Sequence, residues 1–418
     1  MAYLIVMVCV IYIIIQLIMK EKIYKPAIML AALWGIILFV YSFRAFQLPC
    51  VSSDIYIIIL VGLLCFFVGS LVAKYLKITL VIGKYTLYSR EIRLRAYNIV
   101  TFLFFIVMLL PFIRAVMFLF GGSSLYMIRY SLQNDILGSG LIAILFNYFC
   151  EPYLTFMIVY SISNLFSEKR NAYNLLVTII GIVFMTIISG GRFFILYFIG
   201  ALIVMLMIYK GNIKREKRKE ESKVLQRIKL LIIVGIVGII AVSLIRGTKL
   251  GETAYVYLCG GIPFLEYLKE TLIQTKHTHG AATMYGFVRP FFVVLRKIGI
   301  CNLPVWLQNI ENIYLDVDNA YFLAPGILFN SFSTSFFAPY LDGGLFGIII
   351  VYVILGFISE NAYRKINQKN EYIIAYFLLI ALIVVLSFFR LLITHYSFAL
   401  AFVYLYLMSK PMKKNEYI

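Results

Sequence analysis

Long apolar runs punctuate this chain, at residues 2–19, 26–43, 55–73, 97–120, 139–166, 172–189, 193–209, 229–246, 343–359, 372–389 and 391–408. A helix needs about 20 apolar residues to cross a hydrocarbon core of ~30 Å, and these runs are close to that length or longer. Inside lipid every backbone amide and carbonyl must be satisfied within the segment, so runs of this kind fold as helices. The expected fold is an all-α polytopic integral membrane protein with about 11 transmembrane helices. Composition excludes an ordinary soluble domain, because 63% of the 418 residues are hydrophobic and only 14% are charged. The first run lacks a basic leader and a small-residue cleavage site, so it reads as a retained span rather than a signal peptide.

A net charge of +19 could suggest a nucleic-acid partner, but the distribution of the charge argues against one. Most of the Lys and Arg residues fall in alternate short loops, around 20–25, 74–95, 169–170, 210–229, 364–369 and 410–414. That asymmetry marks the cytoplasmic side. It puts the N-terminus outside, the C-terminus in the cytoplasm and the protein in a cytoplasmic (inner) membrane, against membrane lipids. The domain reading follows: residues 1–246 hold spans 1–8 with the basic cytoplasmic loop 210–229. Residues 247–340 form one large extracytoplasmic loop of short helices, and 341–418 hold spans 9–11 and a cytoplasmic tail. Within the large loop, the apolar pieces 253–274 and 281–295 are broken by glycine, proline or charge, so they read as helices on the outer surface or partly re-entrant. The six cysteines show no paired spacing, so neither a metal motif nor a disulfide framework is expected.

Candidate chemistry clusters on the outer side. The step Ser189, Gly190, Gly191, Arg192 separates two apolar runs. Glycines let a ligand approach the backbone, a helix N-terminus favours anions, and a guanidinium suits phosphate. A plain hairpin with an arginine snorkelling to the headgroups would look the same. Arg246 and Arg390 end membrane runs at the depth of Arg192, and Arg289 lies in the large loop. His277 and His279 are candidate bases near neutrality, with a solvated polar loop as the alternative; His395 falls on the same face. Outer carboxylates include Glu311, Asp318 and Asp342. Asp342 stands at the mouth of the ninth run, either as a base or as a helix cap. Arg114 and Glu151 lie deeper and should face the bundle interior or each other.

Asn330 and Thr334 precede a Tyr-x-Asp-x-Gly-x-x-Gly pattern formed by Tyr340, Asp342, Gly344 and Gly347. Together with the Ser-Gly-Gly-Arg turn, this resembles bacterial oligosaccharide repeat-unit polymerases of the Wzy type, which build O-antigen, capsule and exopolysaccharide. The resemblance is architectural over most of the chain and motif-level in two places. It implies polymerisation of undecaprenyl-diphosphate-linked oligosaccharide repeat units at the outer leaflet. The growing glycan would pass to the incoming unit and undecaprenyl diphosphate would leave. It implies no metal, cofactor or nucleotide sugar; a flippase and a chain-length regulator of the same pathway are the implied partners. Arg192, with Gly190 and Gly191, matches by motif as the diphosphate site. Arg246, Arg289 and Arg390 are added on physical grounds, with Asn330, Thr334 and Tyr340 beside the glycan. Asp342, His277 or His279 would serve as base. O-antigen ligases share the architecture, but they place a histidine before an asparagine where this chain has Ser333 and Thr334. A ligase-like transferase and a polysaccharide flippase or transporter remain the alternatives. Transporters usually carry broken helices and polar residues at mid-membrane in repeated halves, and no repeat is evident here.

Overall fold

A computed structural model gives the three-dimensional structure. It describes the chain apart from residues 77–80, 83–84, 87–89, 123–126, 128–131, 139, 166–171, 213–225, 227–228, 239, 241–249, 273–276, 320, 330–332, 367–369 and 412–418. The protein is an all-α membrane protein. Among the described residues, six helices are long and apolar enough to cross a membrane: Ser53–Leu76, Leu94–Phe120, Leu141–Asn164, Ala172–Ser189, Phe193–Lys210 and Phe337–Lys365. The remaining apolar runs hold shorter helices, at Ala2–Ile18, Pro26–Tyr41, Lys229–Gly238, Glu371–Val385 and Tyr396–Leu407. The chain packs as two compact units, each assembled from separate stretches. One comprises Met1–Ile78, Lys249–Arg364 and Ile380–Tyr396; the other comprises Thr79–Thr248, Lys365–Leu379 and Ser397–Ile418.

In the first unit, the Ser53–Leu76 and Phe337–Lys365 helices touch backbone to backbone. A Cβ added at Gly69 would stand 2.1 Å from the Val353 carbonyl oxygen, and one at Gly356 would stand 2.1 Å from that of Phe66. Only residues without a side chain permit this approach, as is usual where membrane helices pack without a hydrophobic driving force. Near one end of this crossing sits a buried charge network. Lys25 is fully buried and lies 3.3 Å from Glu21 and 3.4 Å from Glu360. Lys74 pairs with Glu21, Arg364 pairs with Glu360, and the Ser70 hydroxyl donates to Glu360 at 2.8 Å. Burial would raise the Glu21 carboxyl, but Lys74 and Lys25 outweigh it and hold it below the ordinary range. Lys25 and Glu360 are withdrawn from water, and buried charges of this kind persist only when paired. These residues read from sequence as loop cations; the structure uses them to tie the first helical hairpin to two later helices.

The 250–329 stretch of this unit folds into helices Leu250–Cys259, Gly261–Thr271, Tyr285–Lys297 and Val305–Asp318. A two-stranded hairpin, Tyr321–Ala324 with Ile327–Phe329, follows. The expected surface pieces are thus short helices, with Cys259 and Gly261 the end and start of two of them. The Phe337–Lys365 helix is kinked at Gly343 and Gly344, where Gly344 has φ +59°. Asp342 is the last residue before this kink, and residues 337–342 ahead of it are also helical; Thr334 and Ser335, before that stretch, pair with the 387–389 turn.

The second unit is built on aromatic packing. Tyr153 on the Leu141–Asn164 helix exchanges a hydrogen bond with Thr101 at 2.8 Å and donates to the Tyr97 carbonyl at 3.0 Å. Tyr97, Phe104 and Phe156 pack around it. A π-helical turn at Phe146–Cys150 interrupts that helix. Arg114 donates to the carbonyl oxygen of Ile136 at 3.1 Å, satisfying a cation placed inside a spanning segment.

Candidate functional site

Asp342 is the knot of the first unit's polar cluster. It is 5% exposed, and both of its oxygens accept hydrogen bonds. Oδ1 takes the Thr278 hydroxyl at 2.5 Å and the Ala282 amide at 2.9 Å, while Oδ2 takes the Thr283 amide at 2.9 Å. Backbone bonds extend the clamp, from the Thr278 amide to the Leu341 carbonyl and from the His279 amide to the Asp342 carbonyl. The carboxylate therefore caps the turn that leads into the Tyr285–Lys297 helix rather than its own helix. His279, at φ +49°, and Gly280, at φ +92°, make the reversal that brings these amides round. His277 and His279 are exposed. A Cβ on Gly344 would lie 3.7 Å from His277 Cε1, so the glycine kink and the imidazole are neighbours.

Tyr314 links this knot to the second half of the cluster. Its hydroxyl donates to the Ala282 carbonyl at 2.9 Å. Burial, then the Asp342 charge, raise its phenol above the ordinary range, so it keeps its proton. Arg289 on the Tyr285–Lys297 helix pairs with Glu311 on the Val305–Asp318 helix, with Nη2 at 2.5 Å and Nε at 3.2 Å from the same oxygen. Arg390 pairs with Asp318 at 3.0 Å. It also forms a parallel β-bridge with Thr334. His395 lies in the break between the Glu371–Val385 and Tyr396–Leu407 helices. It is half-buried, and its ring stacks on Tyr396 at 4.4 Å between centroids.

The structure thus gathers Asp342, His277, His279, Arg289, Arg390 and Thr334 into one unit, with Tyr340 half-buried in the Phe337–Lys365 helix. Thr334 is buried and its Oγ1 accepts from the Phe336 amide at 3.4 Å. Its φ of +60° is a conformation that β-branched residues rarely take, which marks local strain at the cluster. Arg192, Gly190 and Gly191 belong to the second unit. There Gly190 has φ +57°, the Gly191 amide donates to Ser189 Oγ at 3.1 Å, and the Arg192 carbonyl accepts the Leu196 amide at 3.0 Å. The turn is a true helix–helix reversal with Arg192 at the N-cap of the next helix. Arg246 and Asn330 lie outside the described residues.

Two features were not legible from sequence. Thr278, Thr283 and Tyr314 carry the clamp but sit in no motif; the Thr283 hydroxyl is buried without a hydrogen-bond partner among the described residues. Glu311 and Asp318 stood out only as outer carboxylates, whereas they neutralise the two arginines. An anion bound by Arg289 or Arg390 must share or displace these carboxylates. Among the described residues, no three His, Cys, Asp or Glu side chains gather as a metal site. Compared with known families, curated proteins and solved structures, the chain matches none.

Proposed function

We propose that this protein polymerises undecaprenyl-diphosphate-linked oligosaccharide repeat units, moving the growing glycan onto the incoming unit with release of undecaprenyl diphosphate. The observation that carries the reading is the convergence in one unit of two arginines, the His277–His279 loop and Asp342, five of the residues picked out beforehand. Guanidinium groups held on exchangeable carboxylates suit a diphosphate that must bind and then leave. The exposed imidazoles are read as the groups that take a proton from an attacking hydroxyl, while Asp342 holds the loop that bears them. Arg192, at its glycine-freed helix N-terminus, is read as a further diphosphate contact.

The five shorter apolar helices are read as additional spans, about eleven in all, with residues 247–340 outside and 210–229 in the cytoplasm. In a cysteine-free background, a membrane-impermeant thiol reagent should label His277→Cys from outside and leave Lys217→Cys unlabelled. The opposite pattern would overturn the topology and every outer-face role with it.

Activity gives the direct test. A strain lacking this chain should keep single repeat units on its surface glycan and lose the polymer ladder. Loss of all transfer to the final acceptor would point to a ligase-like transferase instead. In the complemented strain, Arg192→Lys should retain part of the polymer, since charge survives without the bidentate fork. Arg192→Ala should be close to inactive at normal protein level. Polymer of normal length from the Ala variant would reduce the turn to a hairpin.

A further inference from the structure

The Tyr285–Lys297 helix presents two faces of different character. Tyr285, Gly286 and Pro290 are buried, and the helix packs on the Leu392–Thr394 turn. The opposite stripe is apolar and uncovered: Phe291 and Ile298 are each 62% exposed, and Met284 and Val294 about as open at 45% and 46%. These positions recur at helical spacing, so they form one continuous ridge. Beside the ridge, Trp306, 45% exposed, stands edge-on to Phe292 at 5.9 Å between ring centroids, and its neighbour Val305 is 72% exposed. Its 13 residues carry three cations, Arg289, Arg296 and Lys297, which a spanning segment would have to bury, so this face does not read as part of a span.

The charge of the segment identifies the occupant. Between Ala281 and Ile310 there are three basic residues and no acidic one. Arg289 is taken up by Glu311, whereas Arg296 and Lys297 in the last turn are exposed beside the ridge. A short amphipathic helix with aromatic residues on one side and cations at its end is the form that lies in the plane of a membrane interface. The helix also belongs to a unit containing two of the long membrane-crossing helices, which keeps it within reach of a bilayer. We propose that this ridge seats in the interfacial layer of the membrane, on anionic lipid headgroups. Because the Ala282 and Thr283 amides at the head of this helix hold Asp342, seating it would fix the cluster at headgroup depth. The inference stands whether or not the glycan reading does.

The protein carries its own probe. Its two tryptophans are Trp34, fully buried, and Trp306 beside the ridge. A full-length Trp34→Phe variant in nanodiscs isolates Trp306. Emission should be blue-shifted and lose intensity to lipids brominated at carbons 6 and 7 more than at 11 and 12. The loss should grow when phosphatidylglycerol replaces part of the phosphatidylcholine. Arg296→Gln with Lys297→Gln should abolish that growth. Because Trp34→Phe could weaken folding, a spin label at Ile298→Cys, in a cysteine-free chain that keeps Trp34, should show higher accessibility to oxygen than to a water-soluble nickel chelate. Quenching of Trp306 by iodide but not by bromolipid would place the ridge in water. Protection from both would place it against protein, such as a second copy. Bromolipid quenching indifferent to phosphatidylglycerol would remove the anionic headgroup. Each of these outcomes overturns the proposal.

Discussion

Replacing Asp342 with alanine should release the 278–283 segment from its helix. The carboxylate is buried and accepts two backbone amides and a threonine hydroxyl. Hydrogen bonds to a charged group contribute about 1.5–3 kcal/mol each, and buried donors left without an acceptor cost similar amounts. Losing both amide bonds should therefore weaken the clamp by ~3–6 kcal/mol, an increase of ~10²–10⁴ in its opening. Hydrogen exchange on the intact protein reads this directly: the Ala282 and Thr283 amides should lose protection while amides near Tyr352 keep theirs. Asp342→Asn is the informative companion. Asparagine keeps one acceptor oxygen but turns an NH₂ toward a backbone amide, so it should fall between wild type and alanine. Full protection in the Asn variant combined with loss of polymer would make Asp342 a reacting group rather than a clamp. Protection and activity falling together is the expected result.

What the sequence disclosed and what it hid divide along physical lines. Membrane helices are written locally, because about 20 consecutive residues must all be apolar. The residues 172–189 appear as helix Ala172–Ser189 for that reason. The Ser-Gly-Gly-Arg reversal is equally local, and Gly190 takes the left-handed conformation that a tight turn favours. The cluster around Asp342 is written only in pairs far apart along the chain. Arg390 and Asp318 are 72 residues apart, and Asp342 and Thr278 are 64 apart. No spacing rule reaches that distance. A single Asp before glycines could equally cap its own helix, and the structure shows it capping another. The buried network around Lys25 was hidden by a different cause. A lysine in a short basic loop follows the positive-inside pattern whether it faces water or lies under a neighbouring helix.

A loss of global stability, rather than local opening, is expected where the Ser53–Leu76 and Phe337–Lys365 helices cross. Alanine is the best helix former, and glycine to alanine in a helix interior ordinarily stabilises by about 0.5–1 kcal/mol. Gly238, the last residue of the Lys229–Gly238 helix, has nothing within 4 Å of an added Cβ, so alanine there should not destabilise. Gly69 and Gly356 should do the reverse. Their added methyl groups would meet backbone carbonyl oxygens at 2.1 Å, and a carbonyl held in a helix cannot swing aside as a side chain can. The helices must separate by roughly 1 Å, and forced overpacking of this kind costs about 1–3 kcal/mol or more. That separation would also disturb the Ser70–Glu360 bond beside the crossing. Gly69→Ala and Gly356→Ala should each lower the melting temperature of the purified protein in detergent. The double variant should lose less than the sum, because a crossing already opened by one methyl accommodates the second. Unchanged melting in both single variants, with Gly238→Ala as control, would mean that the two helices do not approach this closely. A strictly additive double variant would mean that the two glycines do not share one contact.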